Sequence, residues 1–202
     1  MSIDKFRLAE TDANRVRKLN LMVDATNAAA AAGSSPVNAS IATSDSADGM
    51  IKTVITLSGL SVTMTDATTA GSHGSVKLYD FPEANLFFLG GTTDLVITAG
   101  AGGITDTAAV VGSIGTTTVG TDNATLTTTE ADLIPSTDST LTGGIGETKG
   151  KTLTAGAVVF DGTATAKEAW LNYAVPDAGS TADDTLTVSG TVTLVWSNLG
   201  DN

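Results

Sequence analysis

The chain has 202 residues, of which Thr (35), Ala (28), Gly (22) and Ser (16) supply half, and it carries a net charge of −12. It has no cysteine and one histidine, which excludes disulfides, thiolate chemistry and multi-histidine metal sites. Phosphate binding needs a basic surface, so the acidic balance argues against a nucleic-acid partner.

Positive charge is concentrated at the start of the chain. Residues 1–18 carry five basic and three acidic side chains, whereas the other 184 positions have a net charge of −14. One interpretation is a frayed or amphipathic terminus, and the other is an arm that docks on an acidic partner. We predict an N-terminal arm and loop over residues 1–49, with a possible short helix and a Ser/Asp-rich loop at residues 33–49.

The pattern changes to alternation with a period of two from residue 50 onwards, which predicts strands. The clearest case is residues 186–196, where apolar side chains at even positions, interrupted only by Gly190, alternate with Thr or Ser at 187, 189, 191 and 193. The predicted strands are residues 51–57, 60–64, 75–81, 86–89, 95–99, 108–114, 153–160, 169–175 and 186–196. Many short strands without a long helix predict an all-β protein, with an antiparallel β-sandwich or jelly-roll-like domain over residues 50–202.

The Gly/Thr-rich region at about residues 100–151 has weak periodicity. Three interpretations stay open for it: long loops, a small β insertion, or a distal tip. Within it, residues 145–152 (IGETKGKT) are similar to a phosphate-binding loop but lack its first glycine and precede a strand pattern rather than a helix. We therefore predict a hairpin turn here.

Few side chains suggest catalysis. We predict that His73 lies in an exposed loop and that Trp170 and Trp196 lie in the core or on a sheet face. Acidic loops offer oxygen ligands for calcium at Asp45, Asp48, Asp177, Asp183 and Asp184, but their spacing does not match a calcium loop. We expect solvated acidic loops, no metal, no cofactor and no enzymatic activity.

The first ten residues contain no signal-peptide apolar run, and no stretch approaches 18 apolar residues. We expect synthesis in the cytoplasm and no membrane partner.

Three segments resemble structural proteins of tailed bacteriophages: residues 160–175, residues 186–201 and residues 76–83. The resemblance implies a capsid decoration (cement) protein. Such a protein binds the major capsid protein on the outer surface of the virion, often as a homotrimer, after synthesis in the host cytoplasm.

On this hypothesis the basic N-terminal segment is the capsid-docking arm, in which basic side chains steer and apolar ones anchor. Its candidate docking residues are Lys5, Phe6, Arg7, Leu8, Arg15, Val16, Arg17 and Lys18. Three alternatives remain: another virion part such as a tail tube or head fibre subunit, a bacterial surface or adhesin module, and a carbohydrate-binding or carbohydrate-hydrolysing β-sandwich.

Overall fold

The computed structural model describes residues 36–46, 49–67, 71–119, 126–148 and 150–200, with the backbone alone at 151–157. Residues 1–35, which hold the predicted arm and helix, lie outside the described residues. Within the described part the chain forms ten strands and one short 3₁₀ turn, Asp177–Gly179. The strands are β1 (Ala39–Asp45), β2 (Met50–Asp66), β3 (Ser72–Asp80), β4 (Asn85–Ala99), β5 (Ala109–Gly115), β6 (Ile134–Thr140), β7 (Ile145–Thr148), β8 (Lys151–Asp161), β9 (Glu168–Val175) and β10 (Asp184–Gly200).

The strands form two antiparallel layers. Sheet A has the order β1-β2-β10-β4, with β7 and β8 following one another along the outer edge of β4. Sheet B has the order β3-β9-β5-β6. The end of β2 passes into sheet B, where Thr65 pairs with His73. The predicted all-β antiparallel sandwich is confirmed.

The core lies between the two sheets and follows from the alternation in sequence. In β10 the apolar side chains at even positions are buried, while Thr187 and Thr191 are exposed. An aromatic cluster closes one end of the core, where Phe81 makes edge-to-face contacts with Tyr79 and Trp196 at centroid distances of 5.0 and 5.3 Å. The Trp196 indole N–H donates to Thr53 Oγ1 at 3.1 Å, so this buried ring keeps its polar partner.

The structure differs from the sequence prediction at the sheet edges. The loop expected at residues 33–49 contains β1, which pairs with the first half of β2. Residues 86–89 and 95–99 are parts of one strand, β4, continued through Gly90 and Gly91. Residues 100–151 are not a separate insertion, because β5 and β6 complete sheet B and β7 joins sheet A.

Two local predictions are wrong. Residues 145–152 do not form a hairpin turn, because β7 and β8 run in the same direction along β4: Thr148 pairs with Leu95 and Lys151 with Thr92. His73 lies on β3 and is half-buried rather than exposed in a loop. Its flanking glycines and serines indicated a turn, but pairing with Ala174 holds this segment in the sheet.

Candidate functional site

The predicted docking residues all lie outside the described residues, so the structure does not place them. The described chain begins at Pro36 and enters sheet A beside β2. There the Asn38 side-chain amide donates to the Gly59 carbonyl at 3.2 Å, and the Asn38 carbonyl accepts from the Ser58 N–H at 2.8 Å. These two bonds attach the start of the described chain to the middle of β2.

The outer face of sheet A is covered by small hydroxyl side chains. Thr193 lies opposite Thr92, and Thr187 lies opposite both Ser61 and Thr98. This surface is rich in Thr because β-branched side chains suit exposed strand positions. It offers hydroxyl and methyl groups but few charges.

One end of this outer face is apolar. Ser197 lies opposite both Met50 and Phe87, and Phe87 in turn lies opposite Val159. Met50 is 39% exposed and Val159 is 58% exposed. We define the apolar patch as Met50, Phe87, Val159, Val195 and Leu199. Contiguous exposed apolar side chains of this kind mark interaction surfaces.

The sequence analysis missed the apolar patch, although a signal was present. Alternation places every second side chain outside, so two adjacent large apolar residues require one of them to face out. Phe87-Phe88 is such a pair, with Phe88 buried and Phe87 half-buried. Val158-Val159 is a second adjacent pair on the neighbouring strand, and there both side chains are exposed.

The outer face of sheet B is covered by the connection between β5 and β6. Asn172 projects from β9 into this connection and is fully buried. Its side-chain N–H groups donate to the carbonyls of Thr117 (3.0 Å) and Glu130 (2.8 Å). Its oxygen accepts from Ser75 Oγ (2.6 Å) and the Val119 N–H (3.1 Å). Asn172 therefore holds both ends of the connection on the sheet.

Two carboxylates stabilise the same connection. Glu130 accepts hydrogen bonds from the Thr128 hydroxyl and the Thr127 N–H. Burial acts to raise the pKa of Glu130, but these hydrogen bonds outweigh it and lower the pKa. Asp132 accepts from the N–H and the hydroxyl of Thr116 at 2.8 and 2.6 Å, yet burial still raises its pKa.

Trp170 lies half-buried on the outer face of sheet B, beside the covering connection. Its indole N–H donates to Glu168 Oε2 at 2.9 Å. Lys77 Nζ lies 3.1 Å from Glu168 Oε1 and 2.9 Å from Asp80 Oδ1. The hydrogen bond to Asp80, followed by that to Glu168, raises the pKa of Lys77. The predicted placement of the tryptophans is confirmed, with Trp170 on a sheet face and Trp196 in the core.

Two of the acidic residues considered as calcium ligands, Asp183 and Asp184, accept hydrogen bonds from the backbone. Asp184 accepts N–H groups from Gly102 (3.2 Å), Ile104 (3.0 Å) and Thr185 (2.7 Å), which attaches the segment after β4 to the start of β10. Asp183 accepts the Asp66 N–H at 2.7 Å. In the part of the chain that the structure describes, no group of three or more His, Asp or Glu side chains is placed to hold a metal ion. Asp48 lies outside that part.

The segment similar to a phosphate loop does not present free backbone N–H groups at Gly150. The Gly150 N–H donates to Thr93 Oγ1 at 2.7 Å, and its carbonyl accepts the Thr93 N–H at 2.8 Å. Nearby, a cavity of about 10 Å³ between Thr93, Thr148 and Tyr173 has room for about one water. Burial raises the pKa of Tyr173, whose hydroxyl lies 3.3 Å from Thr148 Oγ1.

A membrane-crossing helix, long and apolar enough to span a bilayer, is absent from the described ranges.

Comparisons with known proteins show no matching family model and no matching curated protein. Among solved structures, a CBM4 structure is 11% identical, with 78% of this chain and 94% of that chain covered and a TM-score of 0.36. The infectious bursal disease virus VP2 subviral particle is 16% identical over 82% of this chain and 36% of that chain, with a TM-score of 0.36. The N-terminal cellulose-binding domain of Cellulomonas fimi β-1,4-glucanase C is 14% identical over 82% and 97%, with a TM-score of 0.33. Likenesses at this level do not bear on function, and the fold assignment rests on the strand pairing itself.

Proposed function

We propose that the chain is a non-enzymatic decoration (cement) protein of a tailed-bacteriophage capsid. It binds the major capsid protein on the outer head surface and stabilises the contacts between capsomers. The N-terminal segment steers and anchors it there, because five basic side chains precede a body with a net charge of −14.

The proposal rests on where the fold places the segments that resemble tailed-phage virion proteins. Residues 160–175 run from the end of β8 through β9, and residues 186–200 form most of β10. β9 lies between β3 and β5 in sheet B, and β10 lies between β2 and β4 in sheet A. The resemblance to tailed-phage virion proteins therefore includes the central strands of both sheets, together with the loop at residues 162–167 and, in the segment 76–83, the end of β3.

The chemistry of the described surface supports a binding role. Asn172, Glu130 and Asp184 are side chains of the types that catalyse reactions or hold ions. The hydrogen bonds of Asn172 and Asp184 attach loops to strands, and those of the Glu130 side chain lie within the connection between β5 and β6. Hydroxyl side chains cover the outer face of sheet A. A stable body with a separate docking segment is what a capsid-stabilising protein needs.

The test is binding to undecorated capsids by the full chain and by a variant lacking residues 1–18. We expect the truncated protein to keep its far-UV spectrum and thermal transition but to lose binding. Two further variants separate the contributions: one replaces the five basic residues of this segment with Gln, and the other replaces Phe6, Leu8 and Val16 with Ser.

Loss of charge should weaken binding most at low salt, because exposed charges are screened within about 8–10 Å at physiological ionic strength. Loss of the apolar anchors should weaken binding at every salt concentration. Full-strength binding by the truncated protein would show that the segment is not the docking arm.

The location is tested on the particle, and the oligomeric state is tested on protein released from it. Labelling of the chain on intact virions should place it on the outer head surface, whereas labelling of the tail would favour the tail tube alternative. The resemblance also leads us to propose a homotrimer, which sedimentation of protein released from the capsid would measure.

A further inference from the structure

We propose that the apolar patch is a two-fold contact between two copies of this chain, packed face to face. This contact goes beyond the proposed function and does not depend on it, because it forms between copies of the protein without a capsid. The argument starts from the position of the patch. The patch crosses four neighbouring strands at one end of sheet A, from Met50 on β2 through β10 and β4 to Val159 on the edge strand β8.

The surroundings of the patch show why it differs from the rest of the face. Elsewhere the outer positions of β10 are Thr or Ser, but here they are Val195 and Leu199, and Leu199 is 49% exposed. The Ser197 hydroxyl between them donates to the Gly49 carbonyl at 3.0 Å, so its polar group is already paired. Within the described residues, this end of sheet A therefore exposes apolar surface with few free polar groups.

Two opposite charges lie at diagonal corners of the patch. Lys52 follows Met50 on β2 and lies opposite Val195, and it is exposed. Asp161 follows Val159 on β8, lies opposite Asn85 and is also exposed. From strand spacing, the two corners are roughly 14 Å apart across the strands and about 13 Å apart along them.

This diagonal makes the patch complementary to itself. A two-fold axis in the plane of the contact, passing between Phe87 and Ser197, exchanges the two corners. Lys52 of each copy then lies over Asp161 of the other. The same rotation brings Met50 towards the second copy's Leu199, and Val159 towards its Val195. An isologous contact requires this kind of matching, in which one patch satisfies itself.

Charge as well as shape indicates that the molecule bound at the apolar patch is a second copy of this chain. Two bodies that each carry about 14 negative charges repel one another over most of their surfaces, and a close contact is favoured only where carboxylates are few or are paired. The apolar patch meets both conditions when the second copy supplies Lys52 to Asp161.

The first test is sedimentation of the purified full chain over a range of concentrations. We expect the assembled species to contain an even number of chains: six where the proposed homotrimer forms and pairs face to face, and two where it does not form. Val159→Glu should halve that number, with association weakened roughly thirtyfold or more because the contact buries an unpaired charge. Ile145→Glu is the matched control: Ile145 is 52% exposed on the same face of the same edge, beside Thr98 at the opposite end, and its variant should associate like the wild type.

The second test exchanges the charges. Lys52→Glu and Asp161→Lys should each weaken association, and the double variant should restore it, since the pair is then reversed rather than lost. Far-UV spectra of all variants check folding, because Asp161 also accepts hydrogen bonds from Thr163. The proposal is overturned if the wild type contains an odd number of chains at every concentration, if Val159→Glu associates normally, or if the double variant stays as weak as the single ones. Capsid binding is a separate measurement, so failure here leaves the decoration function standing.

Discussion

Asn172 shows how one buried amide holds a long connection against a sheet. Its two N–H groups and its oxygen all have partners, and three of the four contacts are with the connection between β5 and β6. Buried polar groups are costly to leave unpaired. The position of the connection on the sheet therefore depends on the hydrogen bonds of the Asn172 amide rather than on the volume of the side chain.

We predict that Asn172→Ala lowers the free energy of unfolding by about 2–3 kcal/mol, because the Thr117 carbonyl loses this donor and the buried Glu130 carbonyl keeps only the Ser113 hydroxyl. Urea titration measures this. Asn198→Ala is the control: Asn198 is exposed and accepts one hydrogen bond, from the Gly200 N–H, so its loss should cost under about 1 kcal/mol. Equal effects of the two variants would show that Asn172 does not hold the connection.

Gly190 interrupts the apolar alternation of β10 for a steric reason. It has a φ of 129°, and a Cβ atom there would overlap the carbonyl oxygen of Asp94 on the neighbouring strand. Gly49 also has a positive φ, 75°, but a Cβ atom there would meet nothing within 4 Å.

We therefore expect Gly190→Ala to cost more than about 3 kcal/mol, since both the backbone conformation and the β4–β10 pairing are disturbed. Gly49→Ala should cost only about 1 kcal/mol, from conformation alone. Thermal and urea unfolding of the two variants compares them, and a similar loss in both would contradict the steric explanation.

At the scale of elements, the covering connection of sheet B carries two carboxylates with opposite pH dependence. The pKa of Glu130 is lowered in the folded state, so its contribution to stability is present above the unfolded pKa and is lost as pH falls through the folded pKa. The pKa of Asp132 is raised, so its contribution is present at low pH and is lost as pH rises through the folded pKa.

We predict that Glu130→Gln costs about 1–2 kcal/mol at pH 7 and progressively less as the pH falls below about 4.5, where the Glu130 carboxyl takes up a proton in the unfolded chain before it does so in the folded one. The pH dependence of Asp132→Asn should be opposite: the stability of this variant relative to wild type should increase as pH rises. Urea unfolding between pH 3 and pH 7 measures both slopes. Parallel slopes for the two variants would contradict the assignment.

Strands rich in apolar side chains could be predicted from the sequence, and the polar edge strands β1 and β6 could not. The stretches that became β2, β9 and β10 alternate because one face is buried. β1 and β6 are edge strands with Ile41 and Ile134 as their only large apolar side chains, so they show little alternation. Edge strands are often kept polar in this way, since an apolar edge invites unwanted pairing.

Of the surface features with a proposed role, only those that depend on composition could be predicted from the sequence. The charge imbalance and the Thr-rich exterior follow directly from the sequence, whereas the apolar patch requires the register. Val195 and Val159 are 36 positions apart and belong to one patch only because β4 pairs with both β8 and β10. The same holds for Asn172 and Thr117, which come together across the outer face of sheet B.

At the scale of the whole molecule, the two sheets share one core and one strand. β2 begins in sheet A and ends in sheet B, and the main buried cluster includes side chains from both sheets. Neither sheet keeps its buried face covered without the other, so the sandwich should unfold as one cooperative unit.

We predict that probes in the two sheets report the same transition. Trp170→Phe leaves Trp196 as the fluorescent reporter in sheet A, and Trp196→Phe leaves Trp170 in sheet B. In each variant the fluorescence and far-UV transitions in urea should coincide, even though Trp196→Phe lowers the midpoint by removing the hydrogen bond to Thr53. Separate midpoints within one variant would show that the sheets unfold independently.

The central position of β10 has a consequence for synthesis. β10 pairs with β2 on one side and with β4 on the other, yet it is made after the nine other described strands. While the ribosome is still translating residues 184–200, β2 and β4 have no partner between them, and each exposes an unpaired edge. Sheet A therefore closes only after residue 200 has left the exit tunnel. A nascent chain stalled before that point would be open to aggregation, which makes protection of the growing chain as important to yield as the stability of the finished fold.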